Sequence, residues 1–521
     1  MKPRTDRPCE TGRHNGRTLF ASSLLVTVSL ALAAAAPLIA AEPSTAEILE
    51  RLETLEKAQA EQAQALQERD ARIAELEARL AEIRGQPSEP SQLAQEPAEE
   101  LADQPVVAAA ETATDAPVKT YDEPEYFGQF QPGGKGFRLA NTPYGDVNFS
   151  YYAYARYLNQ DGLEDTYTDY FGRTKTLDTR NDLQFQKAVL YFKGWVGDPK
   201  LRYLAYVWSA NTSQGQGAQV VVAGNLTYMF DPAFNLGVGI SGLPTTRSTE
   251  GNWPNWLRVD NRTIADEYFR GSFTTGLFAF GRVNDTLSYN AMLGNNLSQL
   301  GVDAVQLDDT LDTWAGALIW NPQGPYSNGF GDFEHSEDLI TRFAAHYSHS
   351  TEDRQSQPAA DDPENSQIRL SDGTSLFMPG AFGTDGRVNQ ARYRMAAVDA
   401  GLKYRGFALE GEYYFRWVDQ LVTEGQVPVS DLYDHGFQLQ ASAMLVPRTW
   451  QIYLSGSKIY GEYGDPWDVA LGASWFPYQS RQFRLNGEFI YLDNSPVGYS
   501  SVPYLVGADG TVFHANAEIR F

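Results

Sequence analysis

The chain ends Thr511-Val512-Phe513-His514-Ala515-Asn516-Ala517-Glu518-Ile519-Arg520-Phe521, a run that alternates apolar and polar residues up to its last position. Successive strand side chains point to opposite faces. One face would therefore carry Phe513, Ala515, Ala517, Ile519 and Phe521, and the other His514, Asn516, Glu518 and Arg520. Apolar outward and charged inward is the pattern of a barrel wall standing between lipid and water. A soluble strand can alternate in the same way, so the weight falls on repetition upstream.

Sixteen such runs can be placed, near 149–157, 183–196, 201–210, 219–230, 234–242, 272–282, 286–295, 313–321, 338–349, 392–405, 407–418, 435–446, 450–460, 467–476, 482–493 and 511–521. The clearest sets Phe407, Leu409, Tyr413, Phe415 and Trp417 against Glu410, Glu412 and Arg416. Short connections such as Gly197–Lys200, Asp231–Ala233, Gly406 and Pro447–Thr449 alternate with longer ones. Barrels of the outer membrane have short periplasmic turns and long external loops, which puts both ends of this barrel in the periplasm. The connection 321–337 is the exception, being long on the turn side. Trp195, Phe230, Trp320, Trp450, Trp475 and Phe521 would form one aromatic girdle, with Tyr157, Trp417 and Tyr491 near the other.

The other end of the chain carries an address. Lys2, Arg4, Arg7, Arg13 and Arg17 precede an apolar stretch from Leu19 to Ala36, and small residues follow up to Ala41, so residues 1–41 read as a signal peptide. Cys9 would leave with it, which removes disulfide and thiol chemistry from the mature chain. No later run of about twenty apolar residues could cross a membrane as a helix. A net charge of -25 excludes a nucleic-acid binder.

Residues 42–84 read as a coiled-coil helix. Ser44 and Glu47 form a capping box, and Leu52, Gln59, Leu66, Ile73 and Leu80 fall at heptad a positions over roughly 60 Å. A homo-oligomer is implied. Residues 85–125 form an acidic Pro/Ala-rich linker, and 126–521 the barrel. The expected fold class is all-β, a transmembrane antiparallel β-barrel of about 16 strands behind an N-terminal α-helical coiled coil.

Most candidates for chemistry fail on context. Gly237-Val238-Gly239-Ile240-Ser241-Gly242 matches a dinucleotide fingerprint, but its glycines lie within a strand rather than at the mouth of a helix. His346 and His349 have an odd spacing that sends them to opposite faces of a strand. The acidic groups Asp303, Asp308, Asp309 and Asp312, or Asp361 and Asp362, lack calcium-loop spacing. No nucleophile elbow is present. Neither catalysis, cofactor nor metal is expected.

The informative loop is the third long one, 243–271. It carries Arg247, Glu250, Arg258, Asp260, Arg262, Asp266, Glu267 and Arg270 beside Trp253 and Trp256, which suits a segment folded into a barrel to narrow it. Alternation places Arg156, Lys187, Lys193, Arg202, Lys403, Arg416, Arg484 and Arg520 on lumen faces.

Thr246-Arg247-Ser248-Thr249-Glu250, Ile264-Ala265-Asp266-Glu267-Tyr268-Phe269-Arg270 and Asn295-Asn296-Leu297-Ser298-Gln299-Leu300, with the signal, coiled coil, linker, barrel and terminal Phe, resemble the phosphate-selective porin O/P family. The resemblance implies a trimeric outer-membrane channel whose third loop constricts the pore and whose lumen offers arginines and lysines to small anions. Its surroundings would be outer-membrane lipid and lipopolysaccharide, with the coiled coil in the periplasm. The sequence thus leads to a porin for small hydrophilic solutes with a local preference for anions. Glu410, Glu412, Glu488 and Glu518 share the lumen face, so a non-selective or cation-preferring pore is the alternative. The competing class is a structural tether without an open pore.

Overall fold

A computed structural model describes residues 129–131, 136–210, 219–298, 310–327, 329–354, 368–498 and 502–521. The signal segment, heptad helix and acidic linker lie outside the described residues, as do Asp303, Asp308, Asp309, Asp361 and Asp362.

A short hairpin of β1 (Gln129–Gln131) and β2 (Gly136–Thr142) precedes the wall. The wall begins with β3 (Gly145–Leu163), and the loop after it carries a separate hairpin of β4 (Thr166–Thr168) and β5 (Thr174–Thr176). It continues with β6 (Asn181–Val196), β7 (Asp198–Ala210), β8 (Gln219–Asp231), β9 (Phe234–Gly242), β10 (Phe273–Arg282), β11 (Leu287–Gly294), β12 (Thr313–Trp320) and β13 (Ile340–Asp353). It is completed by β14 (Arg387–Tyr404), β15 (Phe407–Glu424), β16 (Leu432–Val446), β17 (Trp450–Tyr460), β18 (Trp467–Trp475), β19 (Phe483–Asp493) and β20 (Gly510–Arg520).

Every wall strand pairs antiparallel with the next, and β20 returns to β3 with Ala517 opposite Ala155 and Arg520 opposite Tyr152. The seam is locked at the chain end, where Tyr151 N–H donates to the Phe521 carbonyl at 2.9 Å and Phe521 N–H donates back at 3.0 Å. Closure leaves no open edge, so the backbone groups of the wall find partners without water. The protein is a closed sixteen-stranded antiparallel β-barrel among the described residues.

Alternation runs as the terminal segment leads one to expect. His514, Asn516 and Glu518 are buried inside, while Ile519 is 41% exposed on the outside. Large apolar side chains stand out from the wall all around it, among them Val222, Leu318, Leu454 and Leu471. So much exposed apolar surface is costly in water and natural in lipid. Girdle pairs form near the turn end, with Trp450 stacked on Trp475 at 5.7 Å and Trp320 beside Phe343 at 5.6 Å. Trp195 is not among them. It shares parity with Lys187 and Lys193 and faces Arg202 across the ladder, so it turns inward.

The glycines of the dinucleotide-like run serve the wall of β9. A Cβ on Gly237 would lie 2.2 Å from the Phe278 ring, and Gly239, at φ +126°, lies against the backbone of β8. Their role is close approach, as strand glycines often mark.

Candidate functional site

The connection between β9 and β10, residues 243–272, folds into the barrel. It opens with a 3-10 turn at Arg247–Thr249 and contains one short helix, α1 (Ile264–Phe269). The Thr263 hydroxyl accepts from Asp266 N–H to begin α1. The next free donors are taken by the wall, since Ala265 N–H donates to Ser457 Oγ at 3.0 Å and Ile264 N–H to Asp468 Oδ1 at 3.4 Å. Unsatisfied first-turn amides thus dock the segment on β17 and β18.

Above this docking point, on the long-loop side, the lumen holds an apolar core. Ile264, Ala265, Tyr268 and Phe269 of α1 pack with Ile368, Leu376 and Phe377 of the β13–β14 connection and with Val502 and Tyr504 of the β19–β20 connection. Phe269 stacks on Tyr414 of the wall at 5.1 Å.

Below the core lies a layer of paired charges. Arg258, 1% exposed, donates from Nε to Glu488 and from Nη1 to Asp468 at 3.2 Å and to the Arg262 carbonyl at 3.0 Å. Arg247 reaches Glu410 at 3.3 Å and lies 3.8 Å from Glu250. Its backbone N–H donates to Glu412 at 2.9 Å. Arg262 lies 3.5 Å from Asp266 and 3.4 Å from Glu267, with its guanidinium 4.1 Å over the Trp256 ring. Arg270 holds Glu267 at 2.6 Å. Burial, aided by the like charge of Arg270, lowers the Arg262 guanidinium to about 10. Burial disfavours a charged Asp260, but Lys187 and donors from Trp253 and Tyr154 outweigh it and hold that carboxyl below its usual range.

The wall bases divide into two groups. Arg156, Lys187, Lys403, Arg416 and Arg484 are buried, and each except Arg156 pairs with an acid. Arg156 donates to Asn516 and Tyr154 at 3.2 Å each. Arg416 binds Asp434 and the Arg369 carbonyl, and Arg484 binds Glu518 and the Trp256 carbonyl, so both grip inward-folded segments. Lys193 and Arg202, with Tyr206 and Trp208 beside them on the inner face of β6 and β7, keep partial exposure. Arg520 is half-buried at the turn end and donates to the Arg481 carbonyl at 2.7 Å.

Glu250, His346 and Asp399 bring their ligand atoms within 4.8 Å of one another. Arg342 already sits among them, 2.5 Å from Glu250 and 3.0 Å from Asp399, so the cluster is an ion-pair network with its charge answered. His349 lies on the outer face, stacked on Trp314 at 5.6 Å. Sequence reading missed Arg342, Asp399, Asp434 and Asp468 in this layer, although alternation along β13, β14, β16 and β18 marks each as inward.

The long turn-side connection, 321–339, has a physical role. It rises into the lumen and meets the inward-folded segment from below, where Phe330 N–H donates to the Asn255 carbonyl at 2.8 Å. Phe330 and Tyr326 lie 5.0 and 5.8 Å from the Arg247 guanidinium. Lys403 anchors the segment through Ser327 Oγ at 2.6 Å and the Gly329 carbonyl. Phe333 packs on Phe476, and Asp332 caps Ser336 N–H at 3.0 Å. Its length therefore reflects a fold of its own rather than a slip of strand register.

No family model matches the chain, and no curated protein matches it. Solved structures do. An anion-selective porin from Comamonas acidovorans is similar with a TM-score of 0.45 and 11% identity, covering 72% of this chain and 100% of the other. The outer-membrane channel DcaP of Acinetobacter baumannii gives 0.44 and 11% over 73% of this chain and 99% of that one. OmpF of Salmonella typhi gives 0.42 and 14% over 72% and 98%. These are likenesses only; closure of the barrel rests on the strand register.

Proposed function

We propose that this chain is an outer-membrane porin, a passive diffusion channel for small hydrophilic solutes. The observation that carries the reading is a closed barrel, apolar outside and charged inside, with the 243–272 segment docked across its lumen. A water-soluble protein has no use for such an outer wall. The coiled coil read at 42–84 supports a homo-oligomer, taken as a trimer from the family resemblance, with that helix in the periplasm.

Selectivity follows from which cations are neutralised. Arginines of the inward segment are bound to carboxylates, and opposite charges a few ångströms apart largely cancel at a distance. The inner face of β7 offers the partly exposed Arg202 instead. A modest anion preference results, smaller than a ladder of bare arginines would give, and phosphate selectivity is its narrowest form.

Purified protein in a planar bilayer is expected to conduct in discrete steps, with a reversal potential in a salt gradient that favours anions. The substitution Arg202→Gln should move that potential toward cations. Absence of stepwise conductance would replace the channel with the tether, and an unmoved potential would remove this wall from the selectivity argument.

A further inference from the structure

Many inner charges bind the segments that cross the lumen, but the outer wall also carries charges that a lipid-facing surface does not need. Alternation assigns every barrel-strand Lys and Arg among the described residues to one face or the other. Those turned outward are Arg387, Arg392 and Arg394 on β14 and Lys458 on β17. In a chain of net charge -25 they fall in one sector of the barrel.

Arg387 is answered by its own acid, Glu424, at 2.6 Å. Arg392 and Arg394 share one. Arg392 Nε donates to Asp419 Oδ1 at 2.6 Å and its Nη2 to Oδ2 at 3.0 Å, while Arg394 Nη2 also donates to Oδ2. Two guanidiniums share this one carboxylate, while the neighbouring outward acid, Asp353, accepts from Gln390 at 2.6 Å. Arg394 Nε has no acceptor, and the two arginine side chains are 28% and 33% exposed.

Their height is informative. Below Arg394 the outward residues of β14 are Ala396, Val398, Ala400, Leu402 and Tyr404, and those of β15 below Asp419 run from Trp417 down to Phe407. From Arg394 to Tyr404 is ten residues. At about 3.3 Å per residue and a tilt near 40° this spans roughly 25 Å of height, the thickness of an apolar band. The arginines therefore stand one band above the turn-end girdle, at head-group level. Directly across the ladder, His349, Arg394, Trp417 and Tyr433 form one row, and Trp417 and Tyr433 lie 5.8 Å apart. A forked cation beside aromatic rings at the membrane boundary suits an anionic head group above an acyl chain.

We propose that Arg392 and Arg394 hold a phosphate group of an outer-leaflet lipid against the barrel wall, with Trp417 and Tyr433 packing beneath it. Asp419 orients the two guanidiniums. The proposal rests on the outer-membrane reading, but it is independent of whether the pore conducts.

The test uses full-length protein in detergent, titrated with diphosphorylated lipid A and with the same lipid lacking its phosphates, and read by native mass spectrometry. The wild type should retain the phosphorylated lipid. The double substitution Arg392→Gln and Arg394→Gln should bind it roughly thirtyfold more weakly, while Arg387→Gln leaves binding unchanged. Arg392→Lys with Arg394→Lys should restore part of the affinity. Heat-modifiable gel mobility and single-channel conductance should stay as in the wild type, which separates a lost lipid from a lost fold or a failed channel. Equal retention of both lipids, equal binding by the double variant, displacement by millimolar inorganic phosphate alone, or loss of oligomer with lipid retained would each overturn the proposal. The last would assign the arginines to a contact between copies of the chain.

Discussion

Removal of residues 323–338, with the ends of β12 and β13 rejoined by a short polar turn, is expected to raise single-channel conductance by roughly two- to fourfold. The segment fills the lumen from the turn side with Tyr326, Phe330 and Phe333, all below 9% exposure. It is also the floor on which Asn255 and Arg247 rest. A point substitution should act in the same direction. Gly331 has φ +76°, and a Cβ there would lie 2.6 Å from Gln451 Nε2 and 2.9 Å from Leu257, so Gly331→Val strains the backbone and displaces the segment. Bilayer recordings decide the matter. Conductance unchanged in both variants would place the limiting constriction wholly within residues 243–272.

The second large effect concerns stability. Arg258→Ala should destabilise the inward segment by about 3–5 kcal/mol, because it leaves Glu488 and Asp468 buried without their cation. Those carboxylates lie on β19 and β18, and both are at most 2% exposed, so neither can turn to water. Arg387→Ala provides the contrast. Its pair with Glu424 is 37% and 64% exposed, and exposed pairs contribute under about 1 kcal/mol. Protease protection of the 243–272 segment and the denaturant midpoint of the folded barrel would separate the two variants. Similar losses for both would show that the charge layer does not hold the segment in place.

Much of the barrel was legible because its physics is local. A strand with lipid on one side and polar groups on the other must alternate, and the sixteen runs follow from that rule alone. Their ends were less legible. Expectation began one strand at Arg392 and ended the next at Val418, whereas β14 begins at Arg387 and β15 runs to Glu424. Apolar alternation stops where the lipid stops, but backbone pairing continues beyond it. Arg387 lies in that margin, and Arg392 stands at its edge.

Side-chain direction could be read from sequence, and side-chain partners could not. Parity alone sends Arg416 and Arg484 inward, yet nothing near them in the chain announces Asp434 and Arg369, or Glu518 and Trp256. Those partners come from neighbouring strands and from segments that cross the lumen. The sequence by itself determined the closed wall, its apolar exterior and the inward face of its charges, since each depends on a two-residue period and on solvent. Only the tertiary structure decided that the arginines of the 243–272 segment are neutralised, that residues 321–339 close in from the turn side, and that Lys193 and Arg202 keep access to water. Contacts such as those of Arg416 and Arg484 join residues from 18 to 228 positions apart, and no local period encodes them.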